Sequence, residues 1–336
     1  MKKQIVIIGA GQAGLSLGRT LQKSGKDFLI LEKNPSIGDN WRKRFDSLVL
    51  FTPARYSALP DLEMALPPKS QPTKNQIADY FERYAAHFEL PIYLNHAVES
   101  LTKEGNGFAI KTAHGEIFAE QVVVASGFCE RPAIPSWAAD LSIPYIHSAS
   151  YKSPVSVKGK KVLVVGTGNS AAQIAAELTK YYDVTWSVNR KPNFAPLYIF
   201  GRSVLWFADK LGLMDKSLSE KKRKKGEQIY LFGDLKQKLK QTKRKTKIVS
   251  ASGALVIDTK GKQEVFDFVV FATGFLPNYD FIQIPGFENN LDQLRAQEGF
   301  SLVEGLYFLG IPHQRTRSST LIFGAQKDAI HLAKHL

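Results

Sequence analysis

The residues with the clearest chemical potential lie at the start of the chain. Gly9-Ala10-Gly11-Gln12-Ala13-Gly14 directly follows the all-apolar run Ile5-Val6-Ile7-Ile8 and leads into a helix-like stretch through Leu15, Leu17 and Leu21. At this spacing the first Gly makes a tight turn, the second lets a pyrophosphate approach the backbone, and the third lets helix and strand pack closely. The free N–H groups of the helix N-terminus then face the phosphates. A second apolar run, Phe28-Leu29-Ile30-Leu31, ends in Glu32 with Lys33 beside it. A carboxylate there is spaced to take a ribose hydroxyl. Together these features predict a nucleotide site.

The same device recurs. Lys161-Val162-Leu163-Val164-Val165 runs into Gly166-Thr167-Gly168-Asn169-Ser170-Ala171 and a helix through Ile174, Ala175 and Leu178. The next strand, Val184 to Val188, ends in Asn189-Arg190-Lys191 and not in an acid. Cations there suit a 2′-phosphate, which points to NADPH over NADH. Each unit later returns a strand that closes on small residues. The first is Val122-Val123-Val124 before Ala125-Ser126-Gly127; the second is Phe268 to Phe271 before Ala272-Thr273-Gly274. The chain therefore reads as an internal repeat with two dinucleotide sites, acidic at one ribose and basic at the other. FAD and NADPH fit that pair, with hydride passing between them.

The elements that must position these residues follow from pattern. Gly38 is expected to bring the backbone close to a cofactor, with Trp41 beside it, and Phe45 to Pro53 to be extended. Gln76 to Phe88 places Ile77, Tyr80, Phe81, Tyr84 and Ala85 on one helical face. Strands near 97–102 and 107–112 flank the hairpin signal Gly105-Asn106-Gly107, with Ile117 to Ala119 extending the small sheet and Val98 expected at the cofactor. Residues 195–247 break the repeat. Their aromatic first half, around Trp206, reads as core, a substrate lid, a membrane-touching helix or a homodimer face. Gly305 to Gly310 forms a last strand, leading through Arg315 to Ser319 into a helix from Ile322 to Leu336.

Composition narrows the classes. The 336 residues leave room for two domains, and hydrophobic (44%) and charged (23%) content is that of a globular protein. No apolar run approaches the roughly 20 residues that span a bilayer. The strand at the N-terminus leaves no room for a secretory signal. One cysteine, Cys129, excludes a CxxC pair, so the cytoplasm is the expected compartment. No metal site is expected. The net charge of +14 is concentrated in 216–247, where thirteen Lys or Arg stand against three acids. A solvated helical face is expected there, with an acidic protein partner or an anionic surface as the sharper reading. No nucleic-acid motif accompanies the charge.

At this point the sequence resembles the bacterial class B flavin-dependent monooxygenases, the group of flavin-containing monooxygenases, N-hydroxylases and Baeyer–Villiger enzymes. The carriers are Gly9 to Gly14, Gly38 to Trp41, Gly166 to Ala171, Ala272-Thr273-Gly274-Phe275-Leu276-Pro277-Asn278-Tyr279 and Gly305 to Gly310. The resemblance covers nearly the whole chain. It implies an α/β fold of two Rossmann-like domains. Residues 1–153 and 281–336 would form the FAD domain. Residues 154–280 would form the NADPH domain, with a helical, basic insertion at about 195–247. The implied activity is reduction of FAD by NADPH, addition of O2 at the flavin C4a, and oxygenation of a small sulfide, amine or ketone. The alternative is a reductase passing electrons to a protein or quinone.

Two departures stand out. In the family's F-x-G-x-x-x-H-x-x-x-(W/Y) signature, His147 and Tyr151 fit, but Leu141 and Ile143 replace Phe and Gly. Phe51 occupies a place where flavin-containing monooxygenases often carry an Asn that reaches the flavin, which predicts weaker coupling of NADPH oxidation to oxygenation. His147 and Phe51 are thus the two candidate catalytic residues.

Overall fold

Two sheets, each with a parallel core carrying one glycine turn at the end of a strand, set the architecture. The computed structural model describes residues 1–217 and 230–336. The first unit runs β1 (Lys2–Ile8), α1 (Gln12–Lys23), β2 (Phe28–Leu31), a long loop, α2 (Lys74–His87), β3 (Ile92–Tyr93), β4 (Val98–Glu104), β5 (Gly107–Thr112) and β6 (Gly115–Val124). Its strand order is β3-β2-β1-β6-β5-β4. Ile5, Val6 and Ile7 are fully buried, as strands covered on both faces must be. Helix α2 starts with a reciprocal cap: Thr73 accepts from the Gln76 N–H, and the Gln76 side chain accepts from the Thr73 N–H. Its expected apolar face, Ile77, Tyr80, Phe81, Tyr84 and Ala85, is buried.

Two expectations need correction here. The strands anticipated at 117–119 and 122–124 are one strand, β6, which changes neighbour halfway. Its first half pairs antiparallel with β5 and its second half parallel with Leu306–Phe308, while β1 runs along its other edge. Phe45 to Pro53 is irregular, touching sheet geometry only at the Val49–Thr73 bridge. Its polar groups are met by side chains and loop carbonyls instead of a ladder.

The second unit comprises β7 (Tyr145–His147), β8 (Lys161–Val165), α3 (Asn169–Leu178), β9 (Asp183–Ser187), β10 (Asn193–Ala195), α4 (Val204–Lys210), β11 (Tyr230–Phe232), β12 (Lys243–Lys245) and β13 (Phe268–Phe271). Five of these strands form an all-parallel sheet in the order β12-β9-β8-β13-β7. Ile248–Ser252, Leu255–Asp258 and Gln263–Val265 form an antiparallel meander like that of β4-β5-β6. The chain then returns to the first sheet through β14 (Leu306–Phe308). It ends in α5 (Ile322–Leu332), which packs on α1. One apolar cluster runs through both units, from Leu15, Leu17 and Phe81 to Val162, Ile174 and Trp186.

The repeat has a steric cause. A Cβ on Gly9 would lie 2.6 Å from the Ala125 carbonyl oxygen, and one on Gly166 would lie 2.2 Å from that of Ala272. Each turn therefore sits against the end of the returning strand. Both first glycines have positive φ, which bare backbone tolerates best.

The described residues of the stretch 195–247 mix short strands with two short helices, α4 and Leu235–Lys238. Strand β10 pairs with β11, Tyr198–Ile199 pairs with Arg202–Ser203, and α4 has only seven residues. Leu205 is buried with Tyr56 and Phe323 of the same chain, whereas Phe200 at the hairpin tip is 96% exposed. Residues 218–229 of the basic segment lie outside the described residues. Of the remainder, Leu235–Lys238 is a short helix with Lys236 and Lys238 exposed, as expected, whereas β12 is a sheet strand with engaged side chains. Lys243 pairs with Asp183 at 2.8 Å, and buried Lys245 lies 3.4 Å from Glu264. Arg244 lies over the Trp186 and Phe194 rings. Among the described residues, no helix is long and apolar enough to cross a membrane.

Candidate active site

The glycine turn after β1 opens on a cavity of about 580 Å³. Gly9, Gly11, Gln12 and Ala13 line its floor, with Glu32, Lys33, Val98 and Trp41 toward one side and Ala125-Ser126-Gly127 from the end of β6. Glu32 is buried and tightly held. Its Oε2 accepts from the Ala10 N–H at 2.9 Å, and its Oε1 accepts from the Asn34 backbone at 2.9 Å and side chain at 2.6 Å. A Cβ on Gly11 would meet nothing within 4 Å, so that backbone faces open space. The Ser126 hydroxyl is buried without a hydrogen-bond partner. Such an orphan beside an open turn fits a polar ligand.

The second turn opens on a cavity of about 600 Å³, lined by Gly166, Thr167, Gly168, Asn189, Arg190, Lys247 and Ala272-Thr273-Gly274. The turn is pinned to β9 from two directions. The Trp186 indole N–H donates to the Gly166 carbonyl at 2.7 Å, and the Asn189 N–H donates to Thr167 Oγ1 at 3.2 Å. Lys247 escaped sequence reasoning because it is one lysine in a long basic run. It reaches this cavity only because β12 lies beside β9 in the sheet.

The two cavities share a wall. Asn169 and Ser170, the first residues of α3, line the first cavity together with Gln173, whereas the turn just before them faces the second. Asn169, Ser170 and Gln173 share a helix face at i, i+1 and i+4, a spacing the sequence displayed. Leu48, Val49, Leu50 and Phe51 line the first cavity with Leu321 from the C-terminal return. The Phe51 ring stacks on Phe232, with centroids 5.7 Å apart.

Six expected site residues line neither cavity. Ala10 spends its N–H on Glu32. Gly14 is a packing residue, since its Cβ would fall 1.9 Å from the Gly9 carbonyl, and Ala171 is buried beside Gly166. Gly38 packs against α2, where a Cβ would lie 2.7 Å from the Ala78 backbone. Lys191 is exposed outside the second cavity. His147 is buried at the end of edge strand β7, edge-on to Phe275 at 4.8 Å, with Nδ1 accepting from the Ala149 N–H. Burial pushes its pKa down, opposed by the Gly274 backbone, so a neutral ring is favoured. Tyr151 of the same signature is buried and donates to Glu177 at the far end of α3. Leu141 and Ile143 pack against the core of the second sheet. The His147 Nε2 is buried without a hydrogen-bond partner.

Two glycine turns on two sheets with parallel cores, sharing a helix as a wall, define a two-dinucleotide flavoprotein oxidoreductase. The chain belongs to the pyridine nucleotide-disulphide oxidoreductase family, whose model matches residues 6–198, and its similarity to flavin monooxygenases supports the class B resemblance read from the sequence. It is 42% identical to an uncharacterized CzcO-like oxidoreductase of Geobacillus kaustophilus over 98% of this chain and 96% of the relative. It is 29% identical to the probable indole-3-pyruvate monooxygenase YUCCA3 of Arabidopsis thaliana, over 98% and 85%. The flavin-containing monooxygenase from Stenotrophomonas maltophilia has the same fold, with a TM-score of 0.83 at 23% identity over 99% and 98%. The flavin monooxygenase family is one of FAD- and NADPH-dependent enzymes. The open turn at Gly11, orphaned Ser126 and acidic Glu32 fit FAD. The open turn at Gly168, with Arg190 and Lys247 beyond it, fits NADPH.

Proposed function

We infer that this flavoprotein is an NADPH-dependent monooxygenase acting on a small sulfide, amine or ketone in the cytoplasm. The observation that carries this reading is the shared wall at the start of α3. It sets a coenzyme pocket with two cations directly against a pocket whose far end is apolar. In this reading residues 1–153 and 281–336 hold FAD, and residues 154–280 hold NADPH.

The chain's own residues divide the work. Gly9, Gly11 and the α1 N-terminus hold the flavin pyrophosphate, and Glu32 takes the adenosine ribose. Gly166, Gly168 and the α3 N-terminus hold the coenzyme pyrophosphate, while Arg190 and Lys247 take the 2′-phosphate. Leu48, Leu50, Phe51 and Leu321 exclude water from the reacting end, which protects it from side reactions. Phe51 offers shape and no hydrogen bond, so it shields without anchoring. Bound together, FAD and NADPH supply hydride transfer and oxygen activation. The overall balance is NADPH, a proton, O2 and substrate giving NADP⁺, water and oxygenated substrate.

The test is labelled oxygen. With 18O2 and thioanisole, and with indole-3-pyruvate as a carbonyl probe taken from the plant relative's name, one labelled atom should appear in product as NADPH is consumed. The peroxide formed alongside should fall in Phe51→Asn. Rapid reduction of ferredoxin or a quinone with no label in any product would overturn the reading in favour of a reductase.

A further inference from the structure

One side chain joins the loop that walls the first cavity to the helix that begins at the second. Gln173, about one turn into α3, donates from Nε2 to the Val49 carbonyl at 3.0 Å and accepts at Oε1 from the Val49 N–H at 3.2 Å. The amide makes the two-way pair that a neighbouring strand would make. The adjoining backbone is held from within its own unit. Leu48 O accepts from Lys74 N–H, Leu50 N–H donates to Pro72 O, and Leu50 O accepts from Gln71 Nε2.

We propose that Gln173 is a positioning residue that ties the conformation of the loop Leu48–Phe51 to occupancy of the coenzyme site at the start of α3. The proposal rests on reading the two cavities as flavin and NADPH sites. Helix α3 starts where the phosphates would sit, and Gln173 lies four residues beyond Asn169, a rise of about 6 Å. A hydrogen-bonded helix moves as a body over that length. Any settling of its N-terminus onto a phosphate therefore moves the amide, and the amide moves Val49. Phe51, two residues on, forms part of the wall where the substrate must lie. The chemistry at this position is exacting. A carboxylate of the same length accepts but cannot donate, and a thioether of similar length does neither well.

The FAD-loaded enzyme with NADP⁺ is the system to test. Hydrogen exchange is followed in the peptide containing Val49, alongside the visible difference spectrum of the flavin during NADP⁺ titration. In the wild type, NADP⁺ should slow exchange at Val49 and shift the flavin bands. In Gln173→Glu, exchange there should rise about tenfold, as expected when opening no longer breaks two hydrogen bonds. It should also cease to respond to NADP⁺, while FAD content is retained and NADP⁺ affinity changes less than about threefold. Gln173→Met should behave alike and guards against a charge effect. Wild-type behaviour in both variants overturns the proposal, as does loss of FAD or of folding in both, which would make Gln173 merely structural. A wild type whose flavin and second turn ignore NADP⁺ would instead sink the functional reading beneath it.

Discussion

At the level of single residues, glycines of one motif do different work. Gly11 faces open space, whereas Gly14 faces the Gly9 carbonyl at a distance no Cβ tolerates. Gly11→Ala should therefore fold, its apo form melting within about 2 °C of the wild-type apo form, yet bind FAD at least about tenfold more weakly, because the methyl group occupies phosphate space. Gly14→Ala should cost about 3 kcal/mol or more of stability through overpacking. Thermal melts and flavin retention on the purified variants separate the two. Equal loss of stability in both would show that the motif acts as one steric unit. Gly38 teaches the converse lesson. In sequence it looked like a close approach to a ligand, but the atom that excludes a side chain there belongs to α2.

Among elements, the informative comparison is between the strands that end at the two riboses. β2 delivers a carboxylate and β9 delivers Asn189 and Arg190, and both outcomes are legible from the residue that follows an apolar run. The contribution of β12 is not legible that way. A basic run of this length suggests solvated charge, and only its pairing with β9 buries Lys245 at the end of the strand and brings Lys247, two residues on, to the second cavity. The double variant Arg190→Ala/Lys247→Ala should raise the KM for NADPH about a hundredfold or more, since each of two hydrogen bonds to charged groups is worth about 1.5–3 kcal/mol. The KM for NADH should stay within about twofold. Steady-state kinetics with both coenzymes check this, and an equal rise for NADH would place the cations elsewhere on the nucleotide. His147 sits on edge strand β7, behind Gly274 of the second cavity and outside the lining of both.

The whole molecule depends on its ends meeting. β14 completes the edge of β6, α5 packs on α1, and Lys26 donates to the Leu336 carbonyl at 3.2 Å. Removing residues 321–336 should uncover the face of α1 that α5 covers and abolish FAD binding. Gel filtration and the flavin spectrum of the truncated chain read this out, and a monomeric yellow product would contradict it. The sequence by itself determined the two units and the chemistry of each turn, because glycine spacing, buried strands and the residue ending each strand act locally. It also determined most of α2, whose apolar face repeats at helical spacing. Tertiary structure alone decided what the local signals leave open: that Gly38 serves packing, that His147 is walled in, that Lys247 joins a site, and that Gln173 grips Val49. Each of these depends on which distant backbone arrives within a few ångströms, and no spacing along the chain encodes that arrival.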